Sequence, residues 1–469
     1  MLQSTSSERR VLLALAFYFA ISFTIRLMAG PGLELDEAEM VLNAQHLAWG
    51  YGAQFPLYNW LQYGVFYIFG VCVGSIAGLK FALLFAGFAF GIAGLRRLTG
   101  STNAAICGGV APVFLPDVLW EAQRSLTHSV AVIAAVMIVI WALAGVLRRG
   151  AWRDYLWLGL ALGAAGLSKA NIFLLLLGLV GALMVARPSA AGFIPLRRLR
   201  CAAAIGVAAI CVAPSYLWIM AHQDRALASG SKFYRGGTEG PFAPILALGE
   251  GVIGALLLLA IVVAILNWLP KPKPPAPRSA AIDWTARFLG LAGVVGLALL
   301  LFGAVVAGAS RISPRWLLPL SVPIAMGAGV WLYAGAACVM VKRIGGAAAV
   351  VALTVTVGLY VTLVYLPARQ NNDAPGFAQQ VAAQAAGAAL SGDPWLVGQV
   401  LLHRSDQQHT TECGRDILVL DRAPQAPYAA DLISRCGAVM TTQKVLRLRN
   451  LRGKEARTVW ASQITYPAS

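Results

Sequence analysis

Charge is scarce in this chain. Asp, Glu, Lys and Arg make up 12% of its 469 residues while 58% are hydrophobic, and so little polar surface cannot cover a globule in water, which excludes an ordinary soluble protein. Acids are scarcer than bases, 20 against 37. Histidine is rarer still, at five; no His/Asp cluster demands a metal, although the sequence leaves a divalent metal open. The first apolar run lacks a small-residue cleavage site and ends in Gly30-Pro31-Gly32, so it is expected to stay as a helix and not to be removed as a signal peptide.

What the chain has instead is apolar runs. At ~20 residues per crossing, the candidate spans are 11–29, 74–95, 103–115, 129–147, 155–167, 171–186, 201–220, 245–269, 285–308, 316–340 and 346–366. This is a polytopic α-helical membrane protein of about eleven spans. With the N-terminus inside, the inner segments hold seventeen Lys and Arg and the outer loops before Pro367 hold eight, the bias that orients membrane proteins. The net charge of +17 is thus a matter of topology. A nucleic-acid footprint would need a basic face on a soluble domain. The inner segments lack a G-x-G-x-x-G or Walker loop, which argues against a nucleotide-sugar donor or an ATP motor; the Pro-rich stretch 271–278 reads as an extended inner connector.

Residues 1–366 are expected to form the membrane domain, and composition changes from Pro367. There 377–390 reads as helix, while 395–402, 417–420, 444–448 and 458–464 read as short strands. Residues 367–469 are therefore expected to form a small soluble α/β domain on the outer side. Its Cys413 and Cys436 would pair in an oxidising compartment.

Residues able to do chemistry gather at the outer boundary. Glu34, Asp36, Glu37 and Glu39 follow the first span directly, in loop 30–63, where carboxylates stay ionised close to lipid. Asp36, with Glu39 three residues on, reads as an N-cap with a return bond, opening a helix to about Trp49; acids in a first turn also have this plain structural use. Tyr51, Phe55, Tyr58, Trp60, Tyr63, Phe66 and Tyr67 then suit a helix lying in the headgroup region. Lys80 falls in an apolar run, at a cost of about 2.5–3.5 kcal/mol at a helix centre unless it snorkels. Segment 116–128 carries Asp117, Glu121, Arg124 and His128, a short turn carries Lys169, and the outer loop 221–244 carries Lys232, Tyr234 and Arg235. Arg311 and Arg315 precede a Pro-containing span. Arginine grips phosphate or carboxylate with two prongs and lysine as a point charge.

The order of acid pair Asp36-Glu37, turn, then Pro56-Leu57-Tyr58-Asn59-Trp60 resembles the first external loop of family 39 and related C-type (GT-C) glycosyltransferases. Bacterial aminoarabinose and galacturonic acid transferases and protein O-mannosyltransferases belong to this group. Ser168-Lys169 and Arg315-Trp316-Leu317-Leu318-Pro319 resemble further runs of the family. The resemblance implies a GT-C-like fold and inverting transfer of a sugar from a polyprenyl-phosphate donor to a hydroxyl of an envelope acceptor, whether lipopolysaccharide, another glycan or a protein. The site and the C-terminal domain would face the periplasm from a bacterial inner membrane. On that reading Asp36 is the general base and Glu37 supports its geometry or binds the acceptor. Lys169 and Arg315 hold the donor phosphate, with Arg311 and Lys80 behind them. Tyr58, Arg124, His128 and Tyr234 line the sugar or acceptor.

Two departures stand out. Thr127-His128 occupies the place where relatives often carry a second acid, which leaves Asp117 or Glu121 open for that part. Phe55 stands where aminoarabinose transferases have lysine. Two other classes would share features: a flippase for a lipid-linked sugar has many spans and basic outer residues but gains little from a carboxylate cluster, and a binding or assembly factor would work through the C-terminal domain.

Overall fold

The computed structural model describes residues 6–226, 233–234, 240, 242–270, 279–410 and 412–466. Lys232, Arg235 and the connector 271–278 lie outside them. Among the described residues seven helices are long and apolar enough to cross a membrane, or up to eight if one bent pair counts as a span, and Ile172–Val185 and Leu318–Ala334 are shorter apolar helices. The protein is a multi-pass membrane protein. Its helices are α1 (Ser6–Met28), α2 (Leu35–Asn43), α3 (Pro56–Phe69), α4 (Val73–Thr99), α5 (Thr102–Val110), α6 (Ala122–Arg124), α7 (His128–Arg149), α8 (Trp152–Gly166), α9 (Ile172–Val185), α10 (Arg198–Ala221), α11 (Gln223–Ala226), α12 (Ala243–Trp268), α13 (Ala280–Ala307) and α14 (Leu318–Tyr360).

α7 is central. The apolar stretch of α7 is 89% buried against 11% for α10, so α7 sits inside the bundle and α10 presents its side chains to lipid. α4 lies along α7 at close range, because a Cβ on Gly94 would fall 2.8 Å from Trp141 Cα and one on Gly87 3.0 Å from Ala134 Cα. Small residues at a crossing let two helices approach where no hydrophobic force pulls them together. The expected spans 316–340 and 346–366 run together in α14, since the Lys342-Arg343-Ile344-Gly345-Gly346 stretch between them holds no proline. Segments Thr102–Phe114 and Asp117–Arg124 instead meet at 78°. Pro112 and Pro116 withhold N–H donors at this corner, and Asp117–Glu121 resumes as a π-helical turn.

The C-terminal segment adds α15 (Ala374–Ala385), α16 (Pro394–His403), α17 (Pro427–Cys436) and strands β1 (Ala389–Gly392), β2 (Ile417–Asp421), β3 (Val439–Arg449) and β4 (Glu455–Thr465). The sheet order is β1-β2-β4-β3, parallel at β1/β2 and antiparallel elsewhere. Cys413 and Cys436 are joined. Residues 395–402, expected as a strand, are helical in α16, which Asp393 caps through the N–H groups of Trp395 and Leu396 behind Pro394. A short, fully apolar run has no period to separate the two readings.

α2 is held between the two parts of the chain. Leu33, Ala38 and Val41 share one core with Phe377, Trp395 and Val400. α16 crosses α2 at Gly398, where a Cβ would lie 2.7 Å from that of Ala38. Gly398→Leu would overpack this crossing by about 1–3 kcal/mol and is expected to lower the Tm of the solubilised protein; a wild-type Tm would contradict the close approach.

Candidate active site

The loop after α1 is shaped by glycine and strapped from the C-terminal side. Gly30 adopts φ +118°, and a Cβ on Gly32 would lie 2.3 Å from Arg369 O, so only glycine lets the chain pass here. Gly32 N–H donates to Gln370 O at 2.9 Å. Trp395 Nε1 donates to Leu33 O at 2.6 Å, while Gln399 accepts from Leu33 N–H at 3.1 Å and donates to Leu33 O at 2.9 Å. The expected cap at Asp36 is corrected. Glu34 caps α2, with Glu37 accepting the Glu34 N–H at 3.1 Å in a capping box. This is the same spacing two residues earlier, and the helix ends at Asn43 instead of near Trp49.

Glu37 is fully buried. Arg26 Nη2 donates to its Oε2 at 2.7 Å and Arg26 Nε to Oε1 at 3.0 Å, and Lys80 Nζ reaches Oε1 at 3.1 Å. The remaining Arg26 donors go to Gly30 O at 3.1 Å and Gly32 O at 2.8 Å. Burial alone would raise the Glu37 carboxyl, but the charges of Arg26 and Lys80 outweigh it and hold it down at about 2. A depressed carboxyl stabilises the fold above its unfolded value, and that contribution is lost only as pH falls toward about 2. Two expectations change here. Glu37 has no surface with which to touch an acceptor, and Lys80, expected behind the donor phosphate, is itself fully buried on Glu37.

Asp36 turns the other way. It is half-buried and accepts the backbone N–H of Thr127. Burial holds its carboxyl above the ordinary carboxylate value, against the pull of Arg315, Lys169 and Lys80. The segments carrying these groups are tied to one another. Leu57 N–H donates to Leu167 O at 3.0 Å, fixing the aromatic helix to the Lys169 turn. Asn171 Nδ2 donates to Trp316 O at 2.8 Å, fixing that turn to Arg315. Lys169 Nζ donates to Ser129 Oγ at 3.1 Å, on the first turn of α7.

Near Asp36 several buried polar atoms find no protein partner among the described residues: Tyr58 OH, Thr127 Oγ1, both ring nitrogens of His128 and Asp117 Oδ2. Orphaned polar atoms at such density in a native core call for a ligand or water. The rings of Tyr58 and His128 lie 5.6 Å apart, and the charges of Arg315 and Lys169 act on Asp117 as they do on Asp36. Phe55 packs on Tyr216 at 5.9 Å. Arg124 bridges Glu34 at 3.3 Å and Glu121 at 3.1 Å. Tyr234 donates to Ala307 O at 2.9 Å, and Arg311 is exposed with its N–H on Phe233 O. Residues that sequence reasoning did not single out are Arg369, which pairs with Glu34 at 2.8 Å across 335 positions, and Ser129 and Asn171. Only the place of Asn171, two residues after Lys169, marked any of them. No group of three or more His, Cys, Asp or Glu able to hold a metal comes together among the described residues.

The site thus combines a half-buried carboxylate, facing cations and unsatisfied polar atoms at one end of a helical bundle. The whole fold is similar to that of ArnT from Cupriavidus metallidurans, with a TM-score of 0.64 and 14% identity over 97% of this chain and 98% of that one for the form bound to undecaprenyl phosphate, and 0.60 for the apo form. Residues 53–218 match the family described as dolichyl-phosphate-mannose-protein mannosyltransferase. The chain is 30% identical over 433 residues to the lipopolysaccharide core galacturonosyltransferase RgtA of Rhizobium johnstonii, covering 86% of this chain and 82% of that protein. It is 31% identical to RgtB of the same organism over 67% of this chain and 64% of that protein. The chain belongs to the C-type (GT-C) membrane glycosyltransferases.

Glu37→Gln would leave Arg26 and Lys80 buried without a counter-charge, a loss of about 3–5 kcal/mol. The expected outcome is a large fall in Tm and in monodisperse yield on size exclusion. A variant that melts with the wild type would show that the ion triad does not hold the loop.

Proposed function

We propose that the enzyme transfers a uronic acid, of the galacturonic type, from a polyprenyl-phosphate carrier to a hydroxyl of the lipopolysaccharide core, with inversion. The name of the relative that matches most of the chain supports the sugar and the acceptor. The observation that carries the reading is Asp36: a half-buried carboxylate, on which the charges of Lys169 and Arg315 converge from two other segments.

In this mechanism the acceptor hydroxyl gives its proton to Asp36 and its oxygen attacks the anomeric carbon. The bond from that carbon to the carrier's phosphate oxygen breaks as the new glycosidic bond forms. Lys169 and Arg315 take the charge that develops on the leaving phosphate, the kind of preorganised stabilisation that lowers a barrier most. Apolar side chains on the lipid-facing helices carry the prenyl chain. The outer end faces the periplasm of an inner membrane, which the bias of basic residues supports. A flippase would need no such base.

Because Glu34 and not Asp36 caps α2, Asp36→Asn should leave folding intact. It is expected to lower turnover by at least ~10²-fold without loss of polyprenyl-phosphate binding. Only the ionised carboxylate accepts a proton, so wild-type turnover should climb with pH through the raised Asp36 pKa, and that limb should vanish in the Asn variant. Lys169→Ala should raise the KM for the lipid donor. Wild-type turnover by Asp36→Asn, assayed with lipid-linked sugar and acceptor, would overturn the mechanism.

A further inference from the structure

A cavity of about 590 Å³ is lined among others by Glu34, Arg124, Leu363, Arg369, Lys454 and Arg457. Leu363 comes from the far end of the last long apolar helix, whereas Lys454 and Arg457 come from the β3–β4 turn and from β4. The cavity therefore sits between the membrane-crossing part and the C-terminal sheet, where the headgroup of a lipid-anchored molecule would lie.

Its charge is unbalanced. Glu34 is the one carboxylate among these six and is already shared by Arg124 and Arg369. Lys454 and Arg457 form no ion pair among the described residues. Arg124 Nε is buried without a partner among the described residues. The guanidinium groups of Arg369, Arg422 and Arg457 stand 5.8, 5.3 and 5.5 Å from the Trp395 ring, three cations around one indole, of which Arg422 is paired with Asp393 at 2.6 Å. Burial and the charges of Arg422 and Arg369 push the Arg457 guanidinium below its ordinary value, against the pull of Asp393. Such a group of planar forks and one ammonium is suited to carboxylate or phosphate oxygens.

The cavity shares two chain segments with the candidate site. Glu34 precedes Asp36 by two residues, and Arg124 precedes by three the Thr127 whose N–H bonds Asp36. We propose that this cavity is the acceptor subsite: it takes the carboxylate or phosphate groups of an anionic glycolipid headgroup and so presents a neighbouring hydroxyl to Asp36. The proposal rests on the reading of Asp36 and its neighbours as the transfer site, and it gives the C-terminal sheet a share in acceptor recognition.

The test uses the full chain in lipid nanodiscs, with steady-state kinetics run against acceptor and against donor separately. The acceptor is lipopolysaccharide lacking its terminal uronic acids, and the control is a glycolipid with a neutral headgroup, diglucosyl diacylglycerol. Removing two charge-assisted contacts in Lys454→Gln/Arg457→Gln should raise the lipopolysaccharide KM by about tenfold or more. Donor KM and the binding of polyprenyl phosphate should stay at wild-type values, the weak binding of the neutral glycolipid should not change, and Lys454→Arg should behave as wild type. Lys454 is exposed in a turn, so Lys454→Gln alone serves where the double variant does not fold. An unchanged lipopolysaccharide KM, or a rise in donor KM instead, overturns the subsite while the Asp36 reading stands. A wild-type enzyme that transfers no sugar from any polyprenyl-phosphate carrier overturns both.

Discussion

A carboxylate with no exposure inside an apolar bundle would cost several kcal/mol by itself. Glu37 stays ionised there because Arg26 from α1 and Lys80 from α4 both reach it, and because the surplus donors of Arg26 go to the carbonyls of Gly30 and Gly32. One buried ion triad thus ties the first helix, the helix after the loop and the loop itself into a single rigid corner. Asp36 immediately precedes Glu37 in the chain, so its direction follows from that corner. The neighbouring acids divide the work: Glu37 anchors, Glu34 caps α2 and takes Arg124 and Arg369, and Asp36 is left half-buried.

The corner is completed from the other end of the chain. Gln370, Trp395 and Gln399 bond the backbone of residues 32–33, and α16 packs on the outer side of α2. The C-terminal unit clasps the loop that carries the candidate base. It also brings Arg369, Lys454 and Arg457 toward the place where a headgroup would approach. Local order at Asp36 therefore depends on contacts more than three hundred residues away in sequence, which is a demanding requirement for folding but gives a stiff platform for chemistry.

Much of this could be seen in the sequence. The apolar runs and their flanking bases mark a polytopic helical protein, and the clustering of acids after the first run marks the loop. Lys169 and the Arg315 run are visible as cations beside short turns. What could not be seen was which acid does what, since Glu34/Glu37 and Asp36/Glu39 have the same i, i+3 spacing and cap equally well on paper. A lysine inside an apolar run signals a partner but does not name it, so the pairing of Lys80 with Glu37, 43 positions away, needed the fold. The partnership of Glu34 with Arg369 is of the same kind. In the C-terminal unit, the helix at Trp395–Leu401 and the strands beside it are alike in composition, and only the cap at Asp393 and Pro394 separates them.

In the proposed mechanism the carrier's phosphate lies between Lys169 and Arg315 and faces Asp36. Cryo-electron microscopy of the enzyme in nanodiscs with undecaprenyl phosphate tests it most directly. Phosphate density is expected within hydrogen-bond reach of Lys169 Nζ and the Arg315 guanidinium, with the Asp36 carboxylate facing it. Phosphate held elsewhere, at Arg311 or in the cavity by Arg457 and away from Asp36, would rule this mechanism out.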